Sequence, residues 1–387
     1  MESNGIRQKS ADSQQPPQKN LTSDEESKDV VEKDPYEEND ISQYIKALQE
    51  DIIPINTKTL SYKEVMLKSQ VYGPLEQSIT VKDFLKNAQN LINQAPSEFR
   101  NIEKITCTQA HIESLDQQEK NMDLNRYIDI LPFISTKVRL EYSNEYINAN
   151  FVDGPLQSHQ NKYIATQGPK DNTVIDFWLM VHQQNVKIIL ATCKLSEGGR
   201  TKCAHYWPKK GADPIRARDD NVTIIIECTD ETQLSTYLYL RTFKVIVNKL
   251  EKTVEQYHYV GWPDHDVPTG KSMNEFKVML ERFVQWTLKS ANDERAIIHC
   301  SAGIGRTGTT IALTHLMIKI MQQIVKGTHI DEVRFSIFST VRSIREQRYS
   351  LVQMANQYGF IYQYLALWLG NECYKEFIGS DINKYQS

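Results

Sequence analysis

Hydrophobic and polar positions divide the chain into three textures. Over residues 1 to 40 branched and aromatic apolar side chains are nearly absent, which predicts a disordered segment. In ISQYIKALQEDI (41–52) and ITVKDFLKNAQNLINQ (79–94) apolar residues recur at helical spacing, predicting two amphipathic helices, the second ending near Pro96. The second can pack on the domain that follows, whereas the first has no evident neighbour for its apolar face. From about residue 122 strand-like and helix-like runs alternate densely. Val186–Thr192, Val222–Ile226, Tyr237–Leu240 and Phe243–Val247 read as strands, and such runs in succession between 222 and 261 predict antiparallel neighbours. Asn274–Leu288 then reads as a helix, Ala296–His299 as a short buried strand, and three more helices run to about Leu369. The pattern predicts an α/β fold, one large domain in which helices surround a mixed sheet.

A length of 387 residues suits one large α/β domain or two ordinary ones. With 40% hydrophobic and 24% charged residues the chain can bury a core. Its net charge of -4 carries no basic bias, which argues against nucleic acid as a partner. The charge is uneven, because residues 1 to 40 hold 11 acidic and 5 basic side chains, about -6, leaving about +2 for the rest. No run approaches 18 uncharged apolar residues, so no membrane insertion is expected. The N-terminus lacks the apolar core of a signal peptide. Cys107, Cys193, Cys203, Cys228, Cys300 and Cys373 are scattered without a close pair. That spacing suits neither structural zinc nor a disulfide framework and points to a reducing, cytoplasmic setting with no metal and no cofactor.

The chemistry concentrates in AIIHCSAGIGRTG, residues 296–308. An apolar strand runs into Cys300, then a glycine-rich loop, then Arg306 and a long apolar helix. Strand, loop and helix N-terminus build an anion site, because backbone N–H groups turn inward and the helix dipole adds positive potential. Gly303, Gly305 and Gly308 allow positive φ or close backbone approach. Cys300 would lie at the floor of that cradle, where the N–H groups and Arg306 favour a thiolate. Arg306 can grip two phosphate oxygens as a fork. A thiolate beneath a phosphate invites in-line attack on phosphorus, and Thr307 is placed to ease sulfur's departure. An acid for the leaving oxygen is offered by GWPDHDVP (261–268), whose Asp264 sits in a proline-framed loop able to act as a lid.

HCSAGIGRTG with an upstream WPD resembles the protein tyrosine phosphatase family, specifically its large phosphotyrosine-specific domains. The resemblance spans about residues 95 to 372, leaving an N-terminal extension over 41–94 and a short tail over 373–387. Within it NRYIDI (125–130), YINAN (146–150), TQGP (166–169), FW (177–178), KCAHYW (202–207) and QMANQ (353–357) match further family blocks. It implies a highly twisted mixed sheet and a phosphocysteine mechanism on protein phosphotyrosine. It further implies Cys300 as nucleophile, Arg306 as phosphate clamp and Asp264 as general acid. The backbone of Ser301, Ala302, Gly303, Ile304, Gly305 and Arg306 would bind phosphate, and Gln353 with Gln357 would position water. Tyr127 would stack on the phosphotyrosine ring and Asp129 would hold substrate amides. Glu197 would orient Arg306, Lys202 would lie near the closed acid loop, Trp262 would anchor its hinge, and His299 would support the nucleophile. Independently, Tyr127 can wall a pocket too deep for phosphoserine. The absence of Lys and Arg between Cys300 and Arg306 disfavours a phosphoinositide head group.

Other readings stand beside these. Cys107, Cys193, Cys203, Cys228 and Cys373 read as buried small hydrophobes. Asp264 could be a turn aspartate, Tyr127 a core aromatic and Glu197 a loop carboxylate. Gln353 and Gln357 are also an i, i+4 pair at a helix start, suited to capping. The chain departs from the family at Asp266, where glycine is usual. There a second carboxylate two residues from Asp264 favours the protonated acid and stiffens the loop. Leu124, Ile134 and Lys137 also depart and bear on loop packing and fine specificity. Asp266 keeps open an alternative, a pseudophosphatase that binds phosphotyrosine without turnover. Dual-specificity chemistry is disfavoured by the Tyr127 block and the domain's size.

Overall fold

A nine-stranded sheet organises the computed structural model, which describes residues 41–53, 78–106, 115–141, 145–218, 221–263 and 266–379. The tail over 1–40, Cys107 and Asp264 lie outside the described residues. In chain order the strands are β1 (Lys137–Arg139), β2 (Tyr146–Val152), β3 (Tyr163–Thr166), β4 (Val186–Ala191), β5 (Ile215–Arg218), β6 (Thr223–Gln233), β7 (Leu238–Val247), β8 (Leu250–Tyr259) and β9 (Arg295–His299). Across the sheet they run β1-β2-β3-β9-β4-β8-β7-β6-β5. β3, β9, β4 and β8 are mutually parallel, and the pairs on either side are antiparallel. The sheet is therefore mixed, as expected.

The two halves differ for a reason visible in the residues. β9 (RAIIH) and β4 (VKIILA) are nearly continuous apolar runs, buried along almost their whole length, as strands covered on both faces must be. Ala296 and Ile298 of β9 enter one core, Ile297 the other, because successive side chains leave opposite faces. In β7, by contrast, buried and half-exposed residues alternate, the mark of an antiparallel strand covered on one face.

Several sequence expectations change here. Leu238–Leu240 and Phe243–Val247 are not two strands but parts of β7, with Tyr237 just before it and an irregular register against β6 between Thr242 and Phe243. The polar step between them stays in the ladder because Arg241 is satisfied while buried. Its Nε bonds Glu231 at 2.5 Å, its Nη1 bonds Gln256 at 2.9 Å, and its guanidinium lies 4.7 Å from the Trp207 ring centroid.

Among the helices, α1 spans Ile41–Leu48 and α2 Val81–Thr106. Pro96 does not end α2. A proline inside a helix removes one hydrogen bond and costs about 3 kcal/mol, but the residues after it are anchored. Phe99 packs 5.6 Å from Tyr358, and Thr106 accepts from Arg345 at 2.7 Å. Helices α3 (Val174–Gln183), α4 (Gly270–Lys289), α5 (Gly305–Val325), α6 (Ile337–Arg345) and α7 (Ala355–Gly370) complete the frame. The apolar face of α1, without a neighbour in sequence, buries Tyr44, Ile45 and Leu48 against α4 and α5.

Candidate active site

The parallel strands place their C-terminal ends side by side: Thr166 of β3 and Ala191 of β4 both pair with His299 of β9. The edge beyond the carboxyl ends of parallel strands is where α/β sheets bind ligands. Cys300 leaves β9 there, residues 301–304 bend, and α5 begins at Gly305.

The loop's carbonyl groups are held outward one by one. Ser301 O accepts from the Gly168 N–H at 2.8 Å, and Ile304 O from Gly308 and Val352 at 2.9 and 3.0 Å. Gly303 O and Ala302 O accept from Arg348 at 2.9 and 3.2 Å. Arg348 is fully buried and also bonds Asn150 and Asn148 at 2.9 Å each. Burial pulls its pKa down to about 10. With the carbonyls turned away, the peptide N–H groups are left for the concave side, the arrangement that binds anions. Gly303 adopts φ +70°, and a Cβ there would lie 2.0 Å from Thr166 O. Gly308 faces a similar limit, 2.2 Å from Val352 N.

Cys300 is 5% exposed, and Thr307 Oγ1 donates to its sulfur at 3.4 Å. Arg306 closes the loop with its guanidinium bound to both oxygens of Glu197, at 2.6 and 2.8 Å, and to Thr192 O at 3.3 Å. Burial works against its charge, but Glu197 outweighs that and the pKa of Arg306 is raised. Glu197 comes from a hairpin, Ser196–Glu197 paired with Arg200–Thr201, which carries the carboxylate to the loop. It is buried rather than an exposed loop side chain.

His299 is fully buried, and burial lowers its pKa to about 4, so the ring is neutral. Tyr206 Oη accepts from Gln256 at 2.6 Å and therefore donates to His299 Nε2 at 2.8 Å. The other nitrogen, Nδ1, then carries the hydrogen and donates to Cys300 O at 3.2 Å. Ser301 Oγ donates to Lys202 O at 2.9 Å, which makes the Tyr127 hydroxyl the donor to Ser301 Oγ, also at 2.9 Å. Arg126 fixes the Tyr127 segment by donating to the carbonyls of Gly168, Pro169 and Thr201.

Gln357 Oε1 accepts from the N–H groups of Gln353 and Met354 at 3.1 and 3.2 Å, a helix-capping contact. Its amide also stands over Gly305, where a Cβ would come within 2.8 Å of Nε2. Trp262 is buried against Phe276 and Phe360, and its indole N–H donates to Asp266 O at 2.8 Å. Asp266 Oδ1 accepts from the Val267 N–H at 2.9 Å.

A cavity of about 470 Å³ opens over the loop. Cys300, Ser301, Ala302, Gly305, Arg306, Glu197, Lys202, Tyr127, Asp129, Gln353 and Gln357 line it, with Asp266. Gly303, Ile304, Thr307, His299 and Trp262 lie beneath or behind that wall, and Asp264 falls outside the described residues. Sequence reasoning missed Arg348, since an arginine after a helix carries no signal of what it will hold. Among the described residues no cluster of His, Cys, Asp or Glu is arranged to hold a metal ion, and no helix is long and apolar enough to cross a membrane.

A family model for protein-tyrosine phosphatase matches residues 121–367. The human tyrosine-protein phosphatase non-receptor type 12 is 38% identical over 255 residues, covering 65% of this chain and 30% of that protein. The chain thus spans less than a third of that relative's length. The crystal structure of the catalytic domain of human protein tyrosine phosphatase non-receptor type 18 superposes with a TM-score of 0.62 at 31% identity, covering 72% of this chain and 97% of that one. A structure of PTPN18 in complex with HER2 phosphopeptides gives 0.64 at 30% identity, covering 74% and 98%.

Proposed function

Because the chain belongs to the protein-tyrosine phosphatase family, we propose that it hydrolyses phosphotyrosine in proteins through a phosphocysteine intermediate. The observation that carries this reading is the loop itself: its carbonyls are pinned outward by Gly168, Val352 and Arg348, around a cysteine sulfur that accepts from Thr307. Phosphate oxygens take the inward N–H groups from Ser301 to Arg306, and Arg306, aligned by Glu197, balances the charge. Cys300 Sγ attacks phosphorus in line, the bond to the tyrosine oxygen breaks, and Asp264 gives that oxygen its proton. Water, positioned by Gln353 and Gln357, then attacks phosphorus and passes a proton to Asp264. The S–P bond breaks with the Thr307 hydroxyl donating to the departing sulfur. Tyr127 stacks on the substrate ring, Asp129 accepts from substrate backbone amides, and Lys202 approaches the acid loop hinged at Trp262. His299 steadies the Cys300 carbonyl.

PTPN18 has been solved with HER2 phosphopeptides, which supports phosphotyrosine proteins as partners here. That the similar relatives are non-receptor tyrosine phosphatases supports a cytoplasmic, signalling role.

Turnover of p-nitrophenyl phosphate and a phosphotyrosine peptide, with a phosphoserine peptide as control, tests the reading. Cys300→Ser should abolish hydrolysis while phosphopeptide binding persists. Asp264→Ala should lower kcat by roughly 10²–10⁴-fold with little change in KM. Hydrolysis by Cys300→Ser at the wild-type rate would overturn the mechanism. The second reading, phosphotyrosine capture without turnover, is favoured by Asp266, which lines the cavity. Binding by the wild-type chain with no hydrolysis would establish it.

A further inference from the structure

We infer that the cavity between α5 and α6 is a second anion site, one that takes the phosphoryl group of a phosphomonoester. The cavity holds about 330 Å³ and shares no lining residue with the one over Cys300. Its cation Lys319 stands 14 residues beyond Gly305 on α5, about 21 Å along the axis at about 1.5 Å of rise per residue. The two sites are thus separate in space.

Lys319 is drawn partly out of water without a counter-charge. Among the described residues its ammonium makes no hydrogen bond and no ion pair, and neither aspartate nor glutamate lines the cavity. Arg342 of α6, itself buried, acts on Lys319 with the same sign, and the carboxylate of Glu346 is taken by Arg342. Desolvation and that repulsion pull the Lys319 pKa down to about 8. Arg334 adds positive charge at the rim, where its Nε and Nη2 donate to Oγ and the carbonyl of Ser78 at 3.1 and 2.9 Å. A desolvated cation with no partner costs free energy until an anion reaches it. The cavity that opens on Lys319 is the place for that anion.

α6 brings hydroxyl groups to the same cavity. Ser336 caps the helix, its Oγ accepting from the Ser339 N–H at 3.0 Å, and Thr340 and Ser343 follow along the cavity wall. A hydroxyl rotates to donate to whatever acceptor arrives. A carboxylate offers two oxygens in one plane, whereas a phosphoryl group offers three in a tripod and about two negative charges at neutral pH. The tripod suits an ammonium from one helix and hydroxyls from another, and the N-terminal end of α6 adds positive potential. The cavity exceeds a bare phosphate in volume, and Leu316 and Phe335 make part of its wall apolar. That room takes the organic part of a phosphomonoester.

The test is acetylation of Lys319 by acetic anhydride, at a pH near its pKa, in the full 387-residue chain, read by mass spectrometry of the modified peptide. Inorganic phosphate, glycerol phosphate and a phosphoserine peptide are added in turn. Sodium chloride at matched ionic strength is the control, and the exposed Lys82 is the internal reference. The Lys319 rate should fall about tenfold once a ligand reaches about ten times its dissociation constant, with Lys82 unchanged. The compound that protects at the lowest concentration identifies the source as the free ion, a small ester or a phosphorylated side chain. Thr340→Val should raise the concentration needed by about tenfold, and Thr340→Ser should restore it. Both variants should turn over p-nitrophenyl phosphate as the wild type does, since Thr340 lies outside the catalytic cavity. That turnover reports the catalytic reading separately from this site. Equal protection by chloride and the phosphoryl compounds overturns the site. So does a Lys319 that resists acetylation with no phosphoryl compound present, because the chain itself then covers it. A Thr340→Val variant protected as well as the wild type overturns the phosphoryl assignment.

Discussion

Glu197 and Arg306 show how a single residue's role depends on its surroundings. Two bonds of 2.6 and 2.8 Å join them, and both side chains are almost wholly buried. Removing one partner of a buried pair leaves the other charge uncompensated, which costs about 3–5 kcal/mol. Glu197→Ala should therefore lower the free energy of unfolding in urea by about that amount and raise KM for phosphorylated substrates, because the guanidinium loses its alignment. A variant with wild-type stability and KM would show that Thr192 O and solvent suffice to hold Arg306. Arg348 works differently. Its donors end on neutral oxygens, those of Gly303, Ala302, Asn150 and Asn148. It is a positioning residue: through it, two separate strand side chains and the loop share one orientation.

The strand–loop–helix element from β9 to α5 is held by what surrounds it rather than by its own bonds. Gly168 fixes one carbonyl and Val352 another, so the element's shape is set by segments more than 40 residues away. Gly303 is where that dependence is tightest. Its φ of +70° and the 2.0 Å approach to Thr166 O leave no room for a methyl group. Gly303→Ala should cost about 1–3 kcal/mol in strain and displace the loop from the end of β3. The assay is kcat/KM on a phosphotyrosine peptide, with an expected fall of at least about 100-fold, since a misplacement near 1 Å has that effect. Near-normal catalysis with normal stability would mean that Thr166 yields and that the loop's shape does not depend on this contact.

At the scale of the whole molecule, helices that precede the family-matched region share its core. The match begins at residue 121, yet Phe84 of α2 is fully buried, 5.0 Å from the Phe335 ring centroid and 6.1 Å from that of Tyr362. Phe84→Ala should destabilise the fold by about 3–5 kcal/mol in a single cooperative transition. A separate early transition, with the main one unmoved, would show that α2 unfolds on its own. Glu98 reinforces the same contact by accepting from the hydroxyls of Tyr358 and Tyr362 on α7, the helix whose first turn carries Gln357 to the cavity.

The sequence by itself determined the local character of the elements: the continuous apolar run of β9, the helical spacing of α2 and α5, and the junction from His299 to Gly308 where strand, bend and helix meet. Those are properties of neighbouring residues, readable through periods of two and 3.6 and through the need for glycine. What only the tertiary structure decided is everything that joins distant segments. Nothing local says that α1 finds cover on α4 and α5, or that α2 runs past Pro96. Nor does it say that the polar Arg241–Thr242 step remains within β7, or that Arg348 holds the loop's carbonyls. In each case the deciding energy is a burial or a hydrogen bond between residues tens to hundreds of positions apart, and such a term enters only when the chain has closed upon itself.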